Sequence, residues 1–264
     1  MTAYEWDAAD YAQASSVQQL WARELIAKLR LQGHERVLDI GSGDGKVTAE
    51  IAAKLPRGAV VGIDNSPGMI ALAEASYPPA TWVNLSFVLA DAANLPFIAE
   101  FDVVFSNATL HWVLDHTPVL RGIRRSLRHG GTLLLQMGGR GNAAGVIAVL
   151  DEICSTPAWR PYFAGMPFPY GFYGPEQYHV WLGQASLTAR RVELIPKDMR
   201  HAGRAGFEGW FRTTGSLAYT RRLPESLRPA FIEQVVAAYL KKNPPDADGT
   251  VHVQMMRLEV EASC

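Results

Sequence analysis

Three glycines, Gly41, Gly43 and Gly45, sit inside the run Asp39-Ile40-Gly41-Ser42-Gly43-Asp44-Gly45, between a short apolar stretch and a helical pattern. Such a loop lets the backbone turn tightly and come close to a ligand at the carboxyl end of a strand. A glycine triplet alone is a weak signal, because chance turns produce it too. Its acidic company sharpens it. The spacing is GxGxG rather than the GxGxxG usual for dinucleotides, and Asp39 and Asp44 flank the loop. Two carboxylates repel a diphosphate but suit a ligand that carries an ammonium and a sulfonium.

S-adenosylmethionine is such a ligand, so the loop favours it over NAD as occupant. Asp64, at the end of the next apolar run, can accept from both hydroxyls of a ribose. Asp91 can accept from the adenine amino group, Ala92 leaves room for the ring, and Met69 and Ile63 can supply apolar walls. Each apolar residue, read alone, is more often plain core. His111 follows a strand pattern at the edge where catalysis is expected, where it can orient a carboxylate or deprotonate a phenol. Trp112 can wall an acceptor pocket, and Arg212 can pair bidentately with an acceptor carboxylate.

These residues must be held by the elements around them. Residues 17–31 place Val17, Leu20, Trp21, Leu25, Ile26 and Leu29 at helical spacing. Residues 36–40, 59–63, 85–89, 101–105 and 132–136 are short apolar runs, each suited to a strand covered on both faces. Helical patterns at 44–55, 67–76 and 116–127 alternate with them, which implies right-handed parallel crossovers in a doubly wound α/β sheet. The rhythm breaks over 138–184, where proline, glycine and aromatic residues crowd into 159–173. An inserted helical lid or a plain surface excursion fits that stretch. Beyond it, 187–194 and 251–260 pattern as strands, and 207–217 and 226–241 as helices.

The 264 residues, 48% hydrophobic and 19% charged, can bury a substantial single domain, and no apolar run reaches the roughly 20 residues that span a bilayer. The acidic start has no basic region leading into an apolar stretch, so a cytoplasmic home is expected. Cys154 and Cys264, the two cysteines, have no ligand spacing, and neither a disulfide framework nor a metal site is expected. A net charge of −1 offers no general attraction to nucleic acid.

Taken together, VLDIGSGDG, GIDNS, LADAANLPF and FDVVFSNATLHWV resemble, in order and spacing, the successive motifs of class I S-adenosylmethionine-dependent methyltransferases. The resemblance covers residues 36–137. It implies a Rossmann-like sheet of seven strands in the order 3-2-1-4-5-7-6, the seventh antiparallel, with Asn65 and Asn107 among the cofactor contacts. Within that class the chain is most similar to the trans-aconitate methyltransferase family and, more loosely, to juvenile hormone acid methyltransferase. The features that carry this are Trp6…Tyr11…Gln18-Gln19, His111-Trp112-Val113, and the tail GWFRTTGSLAY…PPDADGTVHVQMMRLEVEA. The family's LPF before its final arginine is replaced here by Val253-Gln254-Met255.

The resemblance implies that Tyr11 and Gln18 or Gln19 fold over the methionine moiety, and that the acceptor is a small carboxylic acid methylated by direct in-line transfer. A carboxylate is already ionised at neutral pH and needs no general base, whereas a phenol or amine does. A phenolic or carrier-protein-bound acceptor, and a catalytically silent cofactor-binding regulator, are the competing readings. The expected organisation is a helical cap at 1–35, a cofactor-binding core at 36–137, the lid at 138–184, and completion of the sheet with cap helices at 185–264.

Overall fold

In the computed structural model the backbone is described from residue 16 and the side chains from residue 21 to the C-terminus. Helix α1, Ser16–Lys28, leads into strand β1, Arg36–Ile40. There follow α2 (Lys46–Ala52), β2 (Ala59–Asp64), α3 (Pro67–Ser76), β3 (Leu85–Leu89), β4 (Phe101–Asn107), α4 (His116–Ser126) and β5 (Leu127–Gly138). Helix α3 starts as a sequence of this kind should: the Ser66 hydroxyl accepts from Met69 N–H, and Pro67 occupies the first turn, where its missing N–H costs nothing.

The rest of the chain forms α5 (Ala144–Cys154), α6 (Arg160–Phe163), α7 (Pro175–Gln184), β6 (Thr188–Ala202), α8 (Gly203–Trp210), α9 (Leu217–Thr220), α10 (Arg228–Lys242) and β7 (Thr250–Ser263). The seven strands order as β3-β2-β1-β4-β5-β7-β6. Strands β1 to β5 pair in parallel, and β7 runs antiparallel to β5, with Gly138 opposite Arg257 and Gln136 opposite Glu259. Among the described residues no helix is long and apolar enough to cross a membrane.

The sheet is buried on both faces, as parallel strands require. One face carries Leu38, Ile40, Ile63, Val104 and Leu135 against α4 and α7; the other carries Val37, Val60, Phe105 and Leu134 against α1 and α2. Strand β3 departs from the expected two-sided cover. Val88 and Leu89 are 37% and 54% exposed, because β3 is the edge strand and pairs on one side only.

The chain forms two compact units. The first comprises the chain up to Arg140, Tyr170–Ile195 and Arg257–Cys264; the second comprises Gly141–Pro169 and Pro196–Met256. The stretch 138–184 is therefore divided. Its part from Tyr170 clusters with the sheet, where Tyr178 and Leu182 of α7 are buried in the core. The second unit has an aromatic core in which Phe207 stacks on Tyr239 at 4.7 Å and Trp159 and Phe163 pack on Phe231. The helix read at 207–217 is broken there: Phe211–Gly215 is a π turn, closed by Ser216 N–H donating to Phe211 O, five residues back.

Candidate active site

The glycine loop leaves β1 and is pinned to β2, since Gly41 N–H and Ser42 N–H both donate to Ile63 O at 2.7 and 2.9 Å. Gly41 has φ +79°, and a Cβ there would lie 2.1 Å from the Thr109 side chain. Thr109 comes from the segment after β4 and donates its hydroxyl to Gly41 O at 3.2 Å. Glycine is thus needed at 41 for contact within the protein. Gly43 differs. Its φ is +54°, and among the described residues no atom lies within 4 Å of where a Cβ would stand, so on that side the described chain leaves the loop open to an approaching ligand.

Four acids surround this loop. Asp39 is buried and accepts from the Thr48 hydroxyl of α2 at 2.7 Å. Burial pushes its carboxyl up to about 7, against the Thr48 bond and with help from the charge of Asp64. Asp64 holds the loop from β2: Oδ2 accepts from Gly43 N–H at 3.1 Å and Oδ1 from Ser66 N–H at 2.9 Å. Burial raises its pKa too, opposed by these backbone donors. Asp91 is exposed, and its Oδ1 accepts from Ala93 N–H at 2.9 Å, starting the 3₁₀ turn Ala92–Asn94. Asp44 has a different role from the one its position in sequence implies. Lys46 Nζ lies 2.9 Å from its Oδ2, and among the described residues no such cation pairs with Asp39 or Asp64.

These residues fit the cofactor expected from the sequence. Each Asp64 oxygen accepts one backbone N–H and keeps a second lone pair for a hydroxyl. The open side of Gly43 admits a ligand, and a nearby cation would hold Asp39 ionised. Ile63 and Met69 are buried, and Ala92 is half-buried. Asn65 is exposed, while Asn107 ends β4 half-buried, its carbonyl accepting from the Thr109 hydroxyl at 3.1 Å. Tyr11 and the side chain of Gln18 lie outside the described residues.

Beyond β4, Ala108 adopts φ +54°, a conformation that costs a residue with a Cβ about 1 kcal/mol, and the 3₁₀ turn Leu110–Trp112 follows. His111 is buried on this turn. Gly138 N–H reaches its Nδ1 at 3.4 Å, which leaves the proton of the neutral ring on Nε2. Burial, with the nearby charge of Arg257 adding to it, lowers its pKa to about 3. At neutral pH His111 is therefore an uncharged donor and a very weak base.

Trp112 is half-buried, meeting His111 at 5.3 Å and Tyr170 edge-on at 5.3 Å, while Tyr170 stacks on Phe172 at 5.0 Å. Gly171 N–H donates to His111 O at 2.8 Å, so the segment following Pro169 clasps the turn. His116, which sequence reasoning left unused, fastens it from below. Its Nε2 lies 2.8 Å from Leu110 O and 2.9 Å from Val113 O, and because carbonyls only accept, Nε2 carries the proton. Its Nδ1 then accepts from the Tyr178 hydroxyl at 2.6 Å.

The first unit thus gathers Asp39, Gly41, Gly43, Asp64, Asn107 and His111 at the carboxyl ends of β1, β2 and β4, with Asp91 and Ala92 after β3. Arg212 belongs to the second unit, exposed on the π turn. Thr48, Thr109, His116 and Tyr178 were missed because no local motif marks them; Thr109 and Tyr178 act on residues far away in sequence.

A doubly wound sheet with an acid-flanked glycine loop at the carboxyl ends of its strands is a nucleotide-binding type of fold. Residues 38–135 match the family described as Methyltransferase domain. A trans-aconitate 2-methyltransferase of Methylobacterium nodulans is 30% identical over 265 residues, 96% of each chain. One of Azoarcus sp. is 29% identical over 92% of this chain and 93% of its own. Among solved structures, phosphoethanolamine N-methyltransferase 2 of Haemonchus contortus, in complex with S-adenosyl-L-methionine, matches with a TM-score of 0.60 and 17% identity, over 97% of this chain and 56% of that one. The [4+2]-cyclase SpnF matches with a TM-score of 0.59 and 18% identity, over 94% and 82%. The chain belongs to the S-adenosylmethionine-dependent methyltransferases, in the family of the trans-aconitate 2-methyltransferases. The cyclase among its structural neighbours is a reminder that this fold alone does not fix the reaction.

Proposed function

We propose that the enzyme O-methylates the carboxylate of a small organic acid. The observation that carries this reading is the state of His111. A buried, neutral imidazole with its pKa near 3 is a poor base for a phenol or an ammonium, but its Nε2–H can orient an acceptor that is already an anion. The names of the relatives, trans-aconitate 2-methyltransferases, support the same acceptor class.

Bound S-adenosylmethionine supplies an electrophilic methyl group on a sulfonium. The remaining work belongs to the chain. Asp64 accepts from the ribose hydroxyls through its free lone pairs, and Asp91 offers its second oxygen to the adenine amino group beside Ala92, with Ile63 and Met69 as apolar walls. Asp39, ionised, balances the cationic end, with Gly41 and Gly43 giving the backbone its close approach. Asn65 and Asn107 supply polar contacts. His111 and Trp112 hold the acceptor, so that an oxygen lone pair lies in line with the bond that breaks. Orientation of this kind, with water excluded, accounts for most of the rate, and no proton moves. Arg212 is assigned bidentate pairing with an acceptor carboxylate, which Arg212→Gln tests through a raised KM.

Purified enzyme incubated with the methyl donor and a panel of organic acids, trans-aconitate among them, is expected to form a base-labile methyl ester. Methylation of phenols, amines or a carrier-protein-bound acyl group in place of the acids would overturn the carboxylate reading. Binding of S-adenosylhomocysteine without turnover of any acceptor would point instead to a silent regulator.

A further inference from the structure

In the second unit an imidazole stands between two carboxylates that come from different elements. His252, half-buried on β7, has Nδ1 2.8 Å from Asp198 Oδ2 of β6 and Nε2 3.0 Å from Asp246 Oδ2 of the loop that joins α10 to β7. An ionised carboxylate only accepts, so both ring nitrogens must carry protons for both bonds to form, and the ring is then a cation. In the neutral ring one nitrogen turns a lone pair toward a carboxylate oxygen, and a bond becomes a repulsion.

Each carboxylate also has a structural task. Asp198 Oδ2 accepts from Arg200 Nε at 3.2 Å, and its Oδ1 accepts from Gln254 Nε2 at 3.2 Å. Asp246 shapes its loop: its N–H donates to Thr250 O at 3.0 Å, its carbonyl accepts from Gly249 N–H at 3.0 Å, and its Oδ1 accepts from Thr250 N–H at 2.9 Å. Gly249 turns this loop at φ +85°, a left-handed conformation that favours glycine. Asp248 Oδ1 reaches the same Thr250 N–H at 2.9 Å, which brings a second negative charge beside Asp246. From α10, the Tyr239 hydroxyl donates to His252 O at 2.7 Å and fixes the backbone of the histidine. The groups that face His252 are therefore Asp198, with Arg200 and Gln254 behind it, from the strands, Asp246 and Asp248 from the loop, and the Tyr239 phenol from α10. The bonds to Asp246 and then Asp198 raise the pKa of His252 above its ordinary 6.5, and the imidazole is the main reason that the Asp246 carboxyl falls to about 2.

We propose that His252 is a pH-operated latch: protonated, it ties the loop of residues 243–249 to β6, and on losing its proton it releases that loop. The proton passes to solvent, which the partial exposure of the ring allows. Asp198 is built into a strand and Asp246 into an exposed loop, so the loop is the side that moves. Because the folded pKa lies above 6.5, the latch contributes fully below pH 6.5 and is lost as pH rises through the folded value. The device uses contacts within the second unit alone and holds whatever the methyl acceptor is.

NMR of the histidine side-chain nitrogens, combined with amide exchange of the loop, tests this on the full chain. At pH 6 both His252 nitrogens are expected to be protonated, with a titration midpoint above 6.5. Protection of the Thr250 amide, corrected for the intrinsic exchange rate at each pH, is expected to fall roughly 3- to 10-fold across that midpoint. In His252→Gln the protection should be independent of pH. In Asp246→Asn, whose amide oxygen can still accept from Thr250 N–H but brings no charge, His252 should titrate lower. Circular dichroism and S-adenosylhomocysteine calorimetry check that each variant folds. Thr250 protection that stays constant from pH 6 to pH 9 in wild type, a pH dependence that survives in His252→Gln, or a His252 midpoint unmoved by Asp246→Asn would each overturn the latch.

Discussion

Gly43→Ala separates the cost of backbone strain from the cost of blocking a ligand. A Cβ at Gly43 meets nothing within 4 Å among the described residues, so the substitution creates no clash with them. Its φ of +54° is left-handed, and holding alanine there costs about 1–2 kcal/mol. For a chain of this size that corresponds to roughly 2–4 °C in Tm per kcal/mol. The Gly43 N–H bond to Asp64 involves only backbone on the glycine side and survives the change. If the open side of Gly43 is where the cofactor lies, the new methyl also overpacks that contact by about 1–3 kcal/mol, a loss of roughly 5- to 150-fold in affinity. Differential scanning fluorimetry reads the first effect, and calorimetry with S-adenosylhomocysteine reads the second. A variant with the lowered Tm but wild-type affinity would place the cofactor elsewhere and refute the role given to this loop.

Other consequences can be checked with similar means. Asp39, with its pKa near 7, should ionise when the cationic donor binds, so S-adenosylmethionine affinity is expected to rise from pH 6 to pH 8; Asp39→Asn should flatten the dependence. The same raised pKa makes Asp39 contribute stability that is present at low pH and lost as pH rises from 3.8 to about 7, so Asp39→Asn should flatten that slope of Tm against pH too. For His111 the sign reverses. Its pKa falls from 6.5 to about 3, so below pH 6.5 the unfolded imidazole binds a proton that the folded one refuses, and stability drops as pH falls through that window. His111→Gln should lessen the drop, and kcat should show no histidine ionisation between pH 6 and 8. Tyr178→Phe removes the donor to His116 Nδ1, and is expected to destabilise by about 1–3 kcal/mol and lower kcat with S-adenosylhomocysteine affinity kept; unchanged kcat would detach His116 from the acceptor turn. The lid assigned to 138–184 requires slower amide exchange there with cofactor bound, and unchanged exchange throughout removes it.

The parallel half of the sheet was legible because buried strands are short apolar runs and the crossover rule leaves little choice of topology. The runs at 36–40 and 85–89 became β1 and β3, and the helix at 67–76 became α3, with the same bounds. Patterns failed where tertiary packing takes over. Strand β6 runs on to Ala202, well beyond the weak alternation at 187–194, and the aromatic stretch after Pro169 belongs with the sheet although its composition reads as an excursion. Asp39, Asp64, Asp91 and the glycines are the proposed site residues that spacing points to. The pairing of Asp44 with Lys46, two residues on, is not shown by the flanking charge alone. Thr109, His116 and Tyr178 carry no spacing signal of their own. Their roles arise from hydrogen bonds that close only in the folded chain.

The most direct test of carboxylate methylation is the chemical identity of the methylated product. With a donor carrying a carbon-13 methyl group and trans-aconitate as acceptor, NMR of the reaction mixture is expected to show a single ester O-methyl resonance that disappears on treatment with base. A label found on nitrogen or in a base-stable phenol ether, or left on the donor with every acid tried, would contradict it.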